Sequence, residues 1–405
     1  MSSHSAPLGR IWLADHLLRD RLGHHFGYNL LLADAARSAG WDTVLLTHRE
    51  FPQDSVSEHR VERMFRNDWR ASPPSFLSSS RTGLKILESL STGRFAEDLK
   101  HGFNQEKIGK GDIIFAQMLA PRHLECWLRW FANFDASLAP ALVFHLGYDA
   151  SRFGAHEGLH KALNRLRKRE LDKRIYFISD SESLAAEYAK ILKFDVRVLP
   201  HVVAADIEGP STSNGNEPLH FVSLGNAREE KGFWDLAEAI LMLDKDLLGK
   251  EIKFTIQCHQ PDRKCMEAVE RLVQRSLPRV HLIRENLGEK EYLSLLVSAD
   301  VVLLPYHLDK YALRTSGVFC EALVAGKAVI TTEGSWMSGE ISRTGGGWLV
   351  PERNPAKLAG TIQTAHQEFA SLSSGCRERV PGYKAHFSAD TFIRGLMEIV
   401  NYATF

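Results

Sequence analysis

The sequence predicts an α/β protein built from two Rossmann-like βαβ domains that face each other across a cleft. Three observations point there. Short β-rich runs alternate with longer helical patterns nearly throughout. The runs are apolar on both faces, as parallel strands covered by helices are. One polar stretch, DIEGPSTSNGNEP (Asp206 to Pro218), interrupts the alternation, which then restarts.

Length and composition agree with that reading. The 405 residues, 44% hydrophobic and 25% charged, suit two or three globular domains and exclude disordered, collagen-like and coiled-coil chains. Lys plus Arg and Asp plus Glu are 50 each, so the basic excess of a nucleic-acid-coating protein is missing. No apolar run approaches the roughly 18 residues that span a bilayer. The opening MSSHSAPLGR has no hydrophobic core, so no secretory signal and a cytoplasmic location are expected. The five cysteines, Cys126, Cys258, Cys265, Cys320 and Cys376, are spaced irregularly and read as reduced thiols. Cys258 and Cys265 flank His259, but no second ligand pair at short spacing completes a zinc site.

In the first half the expected strands are IWLADHLL, DTVLLTH, DIIFAQML, ALVFHLG, RIYFISD and VRVLP, with a helix over YNLLLADAARSAG. Residues 52–110 are charged and serine-rich, and SPPSFLSSS reads as a mobile loop. In the second half strands are expected at LHFVSLG, EIKFTIQ, VHLIRE, DVVLLPY, KAVITT and GGGWLV, with a helical pattern after each except KAVITT, for which GGGWLV is the next expected element. The expected domains are 1–205, a linker 206–218, a second domain 219–385, and a C-terminal helix in 386–405. No solenoid-period repeat occurs.

Ligands of open α/β sheets bind beyond the carboxyl ends of the strands, and four loops there carry unusual residues. In SLGNAREEKGF, Gly225 ends a strand, and Asn226, Arg228 and Lys231 occupy a tight loop before a helix. Two cations beside free helix N–H groups suit a diphosphate; equally, the loop alone could be a helix entry with solvated charges. In RTSGVFCEALVAGKAVI, Thr315, Ser316 and Gly317 precede a helix. Gly317 leaves room for a phosphate to approach the first N–H groups, although Ser316 and Thr315 also read as simple caps. Glu321 lies one turn on, on the face of Gly317, where a carboxylate can accept both hydroxyls of a ribose.

The other two loops lie in the first half. His145 ends the strand ALVFH, a position as suited to a structural histidine as to one contacting substrate. RDRLGHHFGYN brings Gly23, His24, His25 and Tyr28 into a glycine-rich turn. Adjacent histidines cannot share a helix face, which excludes a metal pair at i, i+4 spacing, and no segment supplies a convincing dinucleotide fingerprint.

The pattern G-x5-K-G, followed by SG-x3-EA-x2-AGK-x-VI, resembles the nucleotide-sugar half of GT-B glycosyltransferases, specifically the family 4 retaining enzymes. The resemblance covers Leu219 to Val350 well, and FSADTFIRGLMEIV looks like that family's C-terminal helix, which packs back toward the first domain. It implies a nucleoside-diphosphate sugar donor (UDP or GDP), transfer to the hydroxyl of a glycan, glycolipid or small-molecule acceptor with retention, and no metal or other cofactor. Gly225, Asn226, Arg228 and Lys231 would face the diphosphate, Gly317 with Thr315 and Ser316 its distal phosphate, and Glu321 the ribose. His145 would face the donor sugar, and Gly23, His24, His25 and Tyr28 the acceptor side. Catalysis would rest on His145, Arg228 and Lys231, and polysaccharide assembly is a common setting for such enzymes. Two positions depart from the family pattern. Asn226 stands where relatives often carry Arg, and Leu313 stands where the first Glu of the Glu-x7-Glu motif, a donor-sugar contact in relatives, would be.

Three readings compete with sugar transfer. An epimerase of the same architecture needs acid/base carboxylates around the sugar, which the sequence does not identify. Leu313 motivates a non-catalytic sugar-nucleotide-binding protein. An oxidoreductase lacks its fingerprint. Two charged segments carry bland readings: Asp244-Lys245-Asp246 as a helix-terminal loop rather than a metal motif, and HKALNRLRKRELDKR as a solvated helix face that could also lean on anionic lipid.

Overall fold

The computed structural model describes residues 8–21, 24–52, 59–66, 81–103, 108–154, 156–204, 207 and 217–401. Gly23, the loop SPPSFLSSS and all of the expected linker except Ile207, Glu217 and Pro218 lie outside the described residues. The chain divides into two compact units. The first comprises Met1–Val202 with Ala389–Phe405, and the second Val203–Ser388.

The first unit holds a seven-stranded sheet: β1 (Arg10–Ala14), β2 (Asp42–His48), β3 (Arg60–Phe65), β4 (Ile113–Ala116), β5 (Ala141–His145), β6 (Ile175–Ser179) and β7 (Val196–Val198), in the order β3-β2-β1-β4-β5-β6-β7. Every pairing is parallel. Parallel neighbours need crossovers, and the helices supply them on both faces. On one face, helices His24–Ser38 and Ala389–Ile399 share a core in which Leu32, Ala36, Phe392 and Leu396 meet Leu13 and Phe115. Against the other face lies Pro121–Phe131, whose Trp127 stacks edge-on to Phe144. β3 is absent from the strands expected from sequence, and its position explains why. It is an edge strand, RVERMF, whose first four residues keep contact with solvent, so charges take the places that apolar residues hold in central strands.

The second unit holds six parallel strands: β8 (Leu219–Ser223), β9 (Ile252–Gln257), β10 (Val280–Ile283), β11 (Val301–Leu304), β12 (Ala328–Thr332) and β13 (Gly347–Val350), ordered β10-β9-β8-β11-β12-β13. These match the six expected runs. One face packs on helices Phe233–Met242, Arg263–Arg275 and Pro355–Glu378, the other on Glu289–Ser298, Gly317–Val324 and Trp336–Thr344.

Both orders reverse direction once, at β1/β4 and at β8/β11. At such a switch point the crossovers on either side diverge to opposite faces, and a crevice opens beyond the strand ends. Fold topology alone therefore points at the loops after β1, β4, β8 and β11.

Candidate functional site

The loop after β8 is fastened from several sides. Gly225 takes φ +103, a conformation that favours glycine, and its N–H donates to Gln257 Oε1 at 2.7 Å. Asn226 pairs with His259 as an isolated parallel bridge, which carries the β8–β9 pairing into the loops. Asp262 accepts the Glu229 N–H at 2.7 Å while capping the next helix through the Cys265 N–H at 2.9 Å. A short 3-10 turn, Glu229–Lys231, ends in Gly232 at φ +66, and the helix proper starts at Phe233, two residues later than the sequence predicts. A side chain on Gly232 would strike the carbonyl of Pro305.

The strand-end loop of β11 closes on this turn. The His307 N–H donates to the Glu230 carbonyl at 2.9 Å, and His307 Nε2–H donates to Asp235 Oδ2 at 2.6 Å. Both side chains are buried, so this pair locks the two loops together in a low-dielectric setting.

Lys231 points back across the loop. Its Nζ occupies the space a Cβ on Gly225 would need, and it lies 5.7 Å from the centre of the Tyr306 ring. Burial pulls the Lys231 ammonium down to about 8; Arg228 adds repulsion, while Glu230 and Glu321 oppose the fall. Arg228 is half exposed, 3.6 Å from Glu230, and both Arg228 and Arg314 act on Tyr311. Arg314 stacks over the Tyr311 ring at 5.4 Å, and Tyr306 and Tyr311 lie 4.5 Å apart.

Ser316 caps the helix Gly317–Val324, its Oγ accepting the Phe319 N–H at 3.3 Å. Thr315 and Leu313 lie in the loop ahead of it. One turn on, Glu321 accepts a short hydrogen bond from Tyr292 Oη. Burial raises the Glu321 carboxyl; the Tyr292 bond and Lys231 pull it back, and Glu289 adds to the rise. Lys231 and Glu321 thus each feel the other's charge. The structure brings Gly225, Arg228, Lys231, Ser316, Gly317 and Glu321 to one edge of the second unit's sheet.

Sequence reasoning missed the tyrosines and Arg314 as site residues, together with Gln257 and the His307–Asp235 pair. Tyr306 follows directly on DVVLLP, so its place at the end of a central strand was the available signal. Tyr292 had none, because it sits mid-helix in KEYLSLLVS and reads as core.

In the first unit, His145 ends β5 and stacks on Tyr28 (6.5 Å, 12°) and Phe115 (6.2 Å, 21°). Burial lowers its imidazole pKa, with Asp180 opposing. His24 and His25 open the helix His24–Ser38. His25 Nδ1–H donates to Asp15 Oδ2 at 2.9 Å, and the buried Asp15 also accepts from the Leu17 N–H and Asn29 Nδ2. Gln117, after β4, donates to Asn29 Oδ1 at 3.0 Å, so the network spans the β1/β4 switch point. Tyr28 Oη is buried without a hydrogen-bond partner among the described residues.

Asp244 precedes the short helix Lys245–Lys250, at the sheet edge opposite Gly225. All five cysteines are buried, and none is in a disulfide. Among the described residues, His307, Asp309 and Glu352 bring ligand-type atoms within 4.8 Å. Their partners account for the grouping: Glu352 accepts the Leu308 N–H at 2.8 Å and pairs with Arg353, while His307 Nε2 serves Asp235.

Comparison with known proteins fits this arrangement. Residues 218–368 match the family model of glycosyl transferases group 1. Over its length the chain is similar to sucrose-phosphate synthase from Thermosynechococcus elongatus, at 18% identity and a TM-score of 0.68, covering 96% of this chain and 98% of that one. It is also similar to Anabaena HepE solved in complex with UDP (13%, TM-score 0.64, 97% and 100% covered). A third is WaaG, a glycosyltransferase involved in lipopolysaccharide biosynthesis (14%, TM-score 0.63, 96% and 99% covered). A search of curated protein sequences returns no match. The chain has the GT-B fold of two Rossmann-like units. Within it, the match to glycosyl transferases group 1 falls in the second unit, and the resemblance to GT-B glycosyltransferases holds. None of the helices among the described residues is long and apolar enough to cross a membrane.

Proposed function

We propose that the protein transfers a sugar from a nucleoside-diphosphate sugar to an acceptor hydroxyl, with retention and without a metal ion. The observation that carries this reading is the placement of a half-buried lysine between Gly225 and Tyr306, within electrostatic reach of Glu321 on the Ser316-capped helix. A cation whose partial burial opposes its charge has little use in a purely structural loop. It is well suited to a diphosphate, which restores the lost solvation.

In this reading Lys231, Arg228 and the N–H groups at Gly317 hold the diphosphate, and Glu321, oriented by Tyr292, accepts the ribose hydroxyls. Cleavage of the anomeric bond moves negative charge onto the departing diphosphate. Preorganised cations and N–H groups stabilise that charge as it grows, and removing one such donor costs about 3 kcal/mol, or a hundredfold in rate. The leaving phosphate takes the acceptor's proton, so no paired carboxylates are required. His145, neutral at pH 7 through burial, offers a ring nitrogen to a sugar hydroxyl, and the His25–Tyr28 segment serves the acceptor. Uridine is favoured as the base because HepE was solved with UDP and a trehalose-6-phosphate protein of E. coli with UDP-2-fluoro glucose.

The test is a thermal-shift panel of UDP, GDP and ADP sugars, followed by an assay for released nucleoside diphosphate with and without acceptor sugars. The proposal expects one nucleotide class to raise Tm and acceptor-dependent release of its diphosphate. Conversion of donor without acceptor would favour an epimerase, and binding without release under any acceptor a non-catalytic role.

A further inference from the structure

The loop ahead of the Ser316-capped helix carries a cation that the diphosphate reading does not use. Arg314 is half-buried, and its Cζ stands 5.4 Å from the centre of the half-buried Tyr311 ring. Tyr311 lies 4.5 Å from Tyr306, and the Tyr306 ring has Lys231 Nζ at 5.7 Å on its own account. Burial raises the Tyr311 hydroxyl; Arg314 pulls it back, Glu230 adds to the rise and Arg228 opposes it. Guanidinium groups from two loops, one after β8 and one after β11, thus act on a single tyrosine. Glu230, the carboxylate that acts on the same ring, is set against Arg228 at 3.6 Å.

The chain gives this end of the site a direction. In the donor reading Glu321 takes the ribose and the helix start at Ser316 and Gly317 the diphosphate. The four residues from Gly317 to Glu321 rise about 6 Å, so the donor runs along the first helical turn toward its amino end. The sugar to be transferred then lies beyond Ser316, on the side to which the chain brings Arg314.

The chemistry there is one-sided. A neutral hexose offers hydroxyl protons, which carboxylates and side-chain amides accept. Residues 310–320 hold neither a carboxylate nor an amide side chain, and Leu313 adds only hydrocarbon. Arginine donates and never accepts, and its planar fork, held over an aromatic ring, fits a planar anion through two parallel hydrogen bonds. The matching group is a carboxylate. We propose that the transferred sugar is a hexuronate, its carboxylate received by the Arg314 guanidinium over Tyr311, with Arg228 adding positive charge from the facing loop. This inference deepens the donor reading above and rests on it. Tyr311 is a positioning residue, because it meets the sugar only through Arg314.

Calorimetric titration of the full chain with donors that differ only at C6, UDP-glucuronate against UDP-glucose and GDP-mannuronate against GDP-mannose, tests it. The parent should bind the uronate of one pair at least about tenfold more tightly than its neutral partner. Arg314→Gln should weaken uronate binding about tenfold to a hundredfold and erase the preference, as expected for loss of a charged hydrogen bond. Arg314→Lys, which keeps the charge without the fork, should retain part of the preference, and Tyr311→Leu should lower it. A parent that binds both members of a pair alike, or favours the neutral one, overturns the inference and leaves the donor reading standing. So does an Arg314→Gln variant that weakens both members equally, because Arg314 would then only brace the loop. A parent that binds neither these donors nor UDP nor GDP overturns both.

Discussion

The Lys231 ammonium fills the volume that a β-carbon on Gly225 would occupy. A glycine at the end of β8 and a lysine six residues later are thereby a single device: the one makes room, and the other puts its charge there. Gly225→Ala both forces a side chain into φ +103 and pushes Lys231 out. The strain alone costs about 1–3 kcal/mol of stability. Donor affinity should fall at least tenfold beyond that, measured by nucleotide titration of the folded variant.

Lys231 also sets a pH dependence. With its pKa near 8, the free protein loses this charge as pH rises through that value, so kcat/KM for the donor should fall up to tenfold per pH unit above about 8. Stability moves the other way. An unfolded lysine holds its proton to about 10.4, so between the two values the unfolded state binds more protons and the fold gains stability with rising pH. Lys231→Arg, charged throughout, should remove the alkaline limb even where it lowers the rate. A limb unmoved in that variant would assign the titration to another group.

In the proposed donor site Tyr292 would act on the donor only through Glu321. Its hydroxyl donates to the Glu321 carboxylate and holds it in place. Tyr292→Phe should raise the donor KM about tenfold while leaving kcat within a factor of two or so, since a charged hydrogen bond is worth about 1.5–3 kcal/mol and Glu321 can re-form part of it with water. Glu321→Gln should cost more, and the double variant no more than Glu321→Gln alone. Additive losses would separate the two residues.

How much of this could be read from the chain alone differs by element. All six strands of the second unit were readable: β8, β11 and β12 are central runs with apolar residues on both faces, β9 alternates apolar with polar residues, and the edge strands β10 and β13 still carry mostly apolar residues. β3 was not, because an edge strand such as RVERMF trades that signature for charge. In the site, glycine and capping residues announce themselves by type: Gly225 takes a positive φ and Ser316 caps a helix. Tyr292 and His307–Asp235 do not, since they meet their partners across 29 and 72 residues of sequence. Only packing of the helices on the sheet brings them together.

His123 gives the first unit a separate acid sensitivity. Buried among His16 and Phe95, its imidazole is pulled down to about 4 by burial. Below pH 6.5 the unfolded chain binds a proton that the folded state refuses, so stability falls with pH until about 4, by roughly 3 kcal/mol in all. Denaturant melts between pH 7 and pH 4 should show that loss, and His123→Phe should flatten it. An identical slope in the variant would place the sensitivity elsewhere.

The most direct measurement is calorimetric titration of UDP, GDP and ADP into the parent protein and Lys231→Ala. The account predicts that one diphosphate binds the parent and binds the variant about a hundredfold more weakly, at an unchanged or higher melting temperature. Equal affinity in the two proteins would contradict it, and with it the placement of a diphosphate beside Gly225 and Ser316.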